Sequence, residues 1–144
     1  MSVEFDIEIN QEDVEQLPHD LRIAVSRFLQ LTSIDYESRL GEEAPTHEGA
    51  LRGSFQHAEI DETAWRVWSD LAYAGTIAYG SGPLEPNWGD IVNWAEKKGL
   101  PPFPIFYKIT TEGVDANPYH ERARRTTESN LDSFIDIALS EVRD

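Results

Sequence analysis

The run Ala72-Tyr73-Ala74-Gly75-Thr76-Ile77-Ala78-Tyr79-Gly80-Ser81 constrains this chain more than any other stretch. Small residues at Ala72, Ala74, Gly75 and Ala78 let a short helix come close to another backbone. Tyr73 and Tyr79 add apolar rings whose hydroxyls need polar partners. Gly80 ends such a helix, and Gly80-Ser81-Gly82-Pro83 interrupts any regular element after it. The spacing predicts a helix over Ala72 to Tyr79 docked tightly on a neighbour, then a loop through Pro86.

Upstream, Val3, Phe5, Ile7 and Ile9 alternate with Glu4, Asp6 and Glu8, the period of a strand with one buried and one wet face. Asn10 caps a following turn at Asp13, and Leu21, Val25, Phe28, Thr32 and Tyr36 recur at helical spacing over about Pro18 to Leu40. Gly41 to Gly49, with its acids and Pro45, reads as a loop. Gln56 to Ile60 and Thr63 to Ser69 flank Asp61-Glu62 as a hairpin, with Trp65 and Trp68 on opposite faces. Downstream, Asn87 caps a short helix holding Trp88, Ile91, Trp94 and Ala95, with Lys97 and Lys98 in its last turn and Gly99 beyond. Leu100 to Pro104 reads as extended, and Ile105 to Thr111 as one more helix ended by Gly113. Asn117-Pro118 repeats the cap-then-proline start. Leu131, Phe134, Ile135, Ala138, Leu139 and Val142 mark one face of a long C-terminal amphipathic helix.

At 144 residues with 40% apolar composition, one domain with a real core is expected. A formal charge of -15 argues against a nucleic-acid reader, which neutralises phosphates with clustered bases; only Arg122, Arg124 and Arg125 make a basic group. Twenty-seven acids against three lysines, Lys97, Lys98 and Lys108, suggest a halophilic source, although an acidic protein of ordinary salt has the same balance. Without cysteine there are no disulfides or thiolate metal sites. Met1 to Asp6 lacks the basic-then-apolar pattern expected of a signal peptide, and no apolar run approaches the ~20 residues of a membrane helix.

The chemistry-bearing residues do not assemble into a catalytic pattern. His19, His47, His57 and His120 have no zinc-ligand spacing and read as surface or capping residues. Glu42-Glu43 and Asp61-Glu62 read as solvated turn carboxylates. Ser54 has no GxSxG elbow around it, and the glycines at Gly75, Gly80, Gly82 and Gly89 are too dispersed for a phosphate cradle. A small hydrolase would need His57 or His120 to meet an acid in a closed cleft. An acidic, DNA-mimicking adaptor, monomeric or dimeric, is the other alternative.

Three landmarks in order resemble the tail-completion and minor-tail proteins at the head-to-tail joint of long-tailed viruses, the lambdoid gene-ten type and relatives of minor tail protein Z. Ala44 to Phe55 is similar to that family's proline, Thr-Gly, Leu-Arg-x-Ser pattern, with His47 and Glu48 inserted. Ala72 to Ser81 is similar to Tyr-Ala-x-x-x-Glu-aromatic-Gly-Thr, with Ala78 and Ser81 replacing the acid and the Thr. Asn117 to Ala123 resembles Pro-Phe-x-x-x-Ala before the last helix, with Tyr119 for Phe. Trp94 to Leu100 looks like an insert carried by some members.

The resemblance implies a non-enzymatic α+β subunit without cofactor or metal, a small antiparallel sheet packed by helices. Such subunits form a ring, expected to be hexameric, in the virion between neck proteins and the tail tube or terminator, with DNA only passing through the lumen. An acidic lumen would repel that DNA. Leu51, Ser54, Tyr73, Ala74, Tyr79, Gly80, Asn117, Pro118, Tyr119 and Ala123 are the residues expected to act at subunit interfaces or in positioning. Gly49 to Leu51 and Gly80 to Pro86 are expected to order on assembly.

Overall fold

In the computed structural model, which describes residues 2–46 and 49–143, the chain begins with β1 (Val3–Glu8), α1 (Gln11–Glu15) and α2 (His19–Glu43). It continues through α3 (Gly49–Arg52), β2 (Gln56–Asp61), β3 (Ala64–Ser69) and α4 (Ala74–Tyr79). The last helices are α5 (Trp88–Lys98), α6 (Pro102–Glu112), α7 (Tyr119–Ser129) and α8 (Leu131–Val142). The fold is α+β, and none of the described helices is long and apolar enough to cross a membrane. His47 and Glu48, part of the first landmark, lie outside the described residues.

The three strands form one antiparallel sheet in the order β1-β3-β2. The alternation in β1 works as its period predicts: Val3, Phe5 and Ile7 lie opposite Ser69, Val67 and Trp65 on the covered face. Glu4 and Asp6 lie opposite Trp68 and Arg66 on the wet face, where Arg66 Nε donates to Asp6 Oδ1 at 2.7 Å. Trp65 is therefore core, while Trp68 is half-buried on the other side. Asp61 shapes the hairpin turn by accepting from the backbone N–H and the hydroxyl of Thr63.

The element that holds the rest together is α2, not the Ala72 to Ser81 run. It covers the inner face of the sheet on one side and packs against α7 and α8 on another. Ala24, Leu29, Thr32, Ser33, Tyr36 and Leu40 are consequently buried around its circumference, and the buried hydroxyls of Thr32 and Ser33 donate to Phe28 O and Leu29 O.

This helix runs past Gly41, where a loop is expected from composition. Two arginines from outside the helix explain why. Arg52 donates to Gly41 O at 2.8 Å and to Glu42 O at 2.9 Å, and Arg122 to Glu43 O at 3.2 Å. They satisfy the carbonyls that a helix C-terminus leaves open and meet its negative end. A Cβ on Gly41 would lie 3.0 Å from Arg52 O, so the absent side chain lets α3 come close. Gly49 and Ala50 likewise belong to α3 instead of a loop, and Leu51 is fully buried.

Two further boundaries differ from the sequence reading. The α6 helix starts at Pro102 within the stretch expected to be extended: Pro102 and Pro104 both lie in its first turn, where no backbone N–H is needed. The C-terminal segment is two helices meeting at Asn130, of which α8 carries the expected amphipathic face. Asn10, Asn87, Gly80, Gly99 and Gly113 cap or stop their helices as expected. Asn117 does not cap α7; its Oδ1 accepts from Arg122 instead.

Candidate interaction surfaces

The three landmarks converge in space. Leu51, Phe55, Ala74, Ala78, Tyr119 and Ala123 share one buried cluster with Tyr36 and Leu40 of α2 and Val67 of β3. Tyr119 is fully buried at the start of α7, and its hydroxyl donates to Ala74 O at 2.8 Å. The small residues of α4 make this approach possible: Ala74, Gly75 and Ala78 are all buried against neighbours. Burial pushes the Tyr119 phenol up to about 12, with Tyr79 adding to the shift. Leu51, Ala74, Tyr119 and Ala123 thus position elements inside the chain.

The remaining expected site residues surround that cluster. Ser54 Oγ donates to Leu51 O at 2.7 Å and lies 2.6 Å from Ser69 Oγ, joining α3 to the end of β3. Asn117 N–H donates to Ile77 O at 2.8 Å, and Arg122 ties Asn117 to Glu43, whose Oε2 accepts from its Nε at 3.0 Å. Pro118 and Tyr73 are exposed, and so is Tyr79, whose ring centroid lies 4.6 Å from that of His120. Gly80 sits at φ +74 with Val114 O 2.7 Å from where a Cβ would be, so the backbones on either side of it can touch.

Two histidines are more than surface or capping groups. His120 is buried beneath Tyr79 and stacked on Phe5, with Nδ1 lacking a hydrogen-bond partner among the described residues; burial holds its imidazole below the usual histidine range. His57 contacts Glu37 through Nδ1 and stacks on Trp65. Neither ring lines the hollow along β1 or the shallower one near Asn10 and Asp61. Among the described residues no group of three or more His, Asp or Glu is placed to hold a metal ion.

The two most exposed large apolar side chains of the described residues lie between the second and third landmarks. α5 and α6 pack on each other and make at most marginal contact with any other element, forming an arm that stands off the body. Ile91 and Ala95 are the buried residues of α5, and Trp88 meets Phe106 of α6 edge-on at 5.4 Å. The outer faces stay bare: Phe103 is 66% exposed, Tyr107 62%, Trp88 48% and Leu100 46%, and α6 has no buried residue. Neither Trp88 nor Trp94 is core; Lys98 Nζ lies 4.1 Å over the Trp94 ring.

The arm joins the body through two chain segments. Ser81 and Val114 exchange backbone hydrogen bonds of 2.9 and 3.1 Å there, and Gly80 and Gly113 flank them at positive φ. None of the arm residues is among those expected at interfaces: prolines conceal the first turn of α6, although the clustering of every lysine between positions 97 and 108 is a visible sign. No family model, curated protein or solved structure matches the chain.

Proposed function

We propose that this chain is a structural ring subunit of the virion, of the tail-completion or neck class at the head-to-tail joint of a tailed virus. The observation that carries the reading is the arm: an isolated chain with Phe103, Tyr107, Trp88 and Leu100 in water has left apolar surface for another molecule to cover. The landmark pattern adds the viral class. Its residues Leu51, Ala74, Tyr119 and Ala123, distant in sequence, meet in one core, as expected if they preserve a common fold. A ring of such subunits, hexameric in this reading, uses different patches on its two sides. Neck proteins and the tail tube or terminator would be its neighbours.

Electron microscopy of purified tails incubated with the protein tests this assignment. Density added at one tail end, together with restored joining to filled capsids, is the expected result. A protein that binds neither tails nor capsids in any salt would refute it.

A further inference from the structure

Two surfaces of this chain are complementary yet lie apart. Where α5 turns into α6, the arm tip presents Lys97 and Lys98 beside exposed Leu100 and Phe103. All three lysines of the chain are on the arm, while 22 of its 27 acids lie outside residues 81–116. On the body, a hollow of about 630 Å³ runs along β1, where the sheet has a free edge. Phe5, Ile7 and Ile9 line it together with Phe28 of α2 and Leu131 of α8. Its rim carries Glu4, Asp6, Glu8 and Glu128 against one base, Arg124. Arg66 engages Glu4 and Asp6 from the wet face of the sheet, and Arg124 is engaged by Glu121 and Glu128. Glu8 has no ionic partner among the described residues.

We infer that the arm tip of one copy seats in the β1 groove of the next copy. Opposite charge selects the occupant: an apolar tip flanked by lysines meets an apolar groove rimmed by carboxylates. The arm stands clear of the body and leaves its own groove empty. The contact is heterologous, so every copy uses two different patches, and only a closed ring leaves no arm and no groove unused. An extended peptide pairing with β1 is the competing occupant. Ile9 N–H bonds Thr63 O, so the alternate residues Glu4, Asp6 and Glu8 turn their backbone groups to the free edge. Their charged side chains guard that edge against strand pairing.

This inference deepens the assembly reading but does not require a virus. The test uses two variants of the full chain at exposed positions: Leu100→Asp with Phe103→Asp on the arm, and Glu8→Lys with Glu128→Lys at the groove. Circular dichroism and urea unfolding establish that both fold. In analytical ultracentrifugation the wild type should associate beyond the dimer, and each variant alone should lose about tenfold or more in association constant. A mixture of the two variants should form a 1:1 dimer and stop, because one intact arm and one intact groove remain.

Wild-type protein that stays monomeric up to about 1 mM would overturn the inference. So would variants that still assemble, or a mixture that forms no dimer. A groove variant that assembles normally while a short strand peptide protects the β1 amides from exchange would instead favour the peptide. Protein that assembles as described but never joins tails defeats the viral assignment and leaves the arm-in-groove contact standing. Joining to tails with both variants assembling normally does the reverse.

Discussion

Replacing Tyr119 by Phe removes one oxygen from a fully buried site and changes little else. The lost hydroxyl donates to Ala74 O at 2.8 Å, and a buried hydrogen bond of this kind contributes about 1–2 kcal/mol. At neutral pH the variant should therefore unfold at a urea concentration lower by about 0.5–1 M, for a slope of about 2 kcal/mol per molar. The phenol is also pushed up to about 12 from its ordinary 10.0, which means the folded chain holds that proton more tightly than the unfolded chain. This contribution is intact below pH 10 and is lost as pH rises through 12; over two pH units it amounts to about 2.7 kcal/mol. Phe has no proton to lose. Wild type and variant should converge with rising alkali and cross at about pH 11–12, where the linkage loss equals the hydrogen-bond gain. Tyr36 is pushed up mainly by burial, with Tyr119 the last of its causes, so most of the difference between the two proteins belongs to Tyr119. Urea unfolding followed by circular dichroism at several pH values gives both curves. A gap that stays constant from pH 8 to 12, or no gap at pH 7, would refute the reasoning.

Two other outcomes follow from the same cluster and from the base of the arm. His120 is held below its ordinary 6.5 by burial, so its stabilising effect is present above pH 6.5 and is lost as pH falls through the lower folded-state value. His120→Phe should flatten the acid limb of thermal stability, and equal acid slopes for the two proteins would contradict this. Gly113→Ala would force a Cβ to within 2.1 Å of Ser81 O at φ +88, a strain of about 3 kcal/mol or more. Hydrogen exchange should then quicken across α5 and α6 while α2 stays protected; unchanged arm protection would show that the neck tolerates the side chain.

The parts of the fold legible in the sequence are those specified by neighbouring residues. Alternation in Val3 to Ile9 gave β1 its covered face, and Asn87 with Gly99 bounded α5 because each meets backbone groups within one turn. What was hidden depends on partners far along the chain. Gly41 looks like a helix stop unless Arg52 and Arg122 are known to receive the carbonyls beyond it. Asn117 looks like a cap until Arg122 claims its side-chain oxygen. The landmark residues were visible as a group, but spacing cannot separate a side chain that touches another subunit from one that fills its own core. Tyr119 does the latter and Tyr79 is open to solvent, although both are tyrosines beside small residues.

The crossing at Ser81 and Val114 gives the molecule a modular plan. Two hydrogen-bonded residues in antiparallel register are the ends that a two-residue Asn-Gly turn can close. Residues 82–113 can therefore be exchanged for such a turn, leaving a trimmed body with its principal cluster untouched. The excursion is a cassette: its length and tip chemistry can be changed while the scaffold that carries it stays the same.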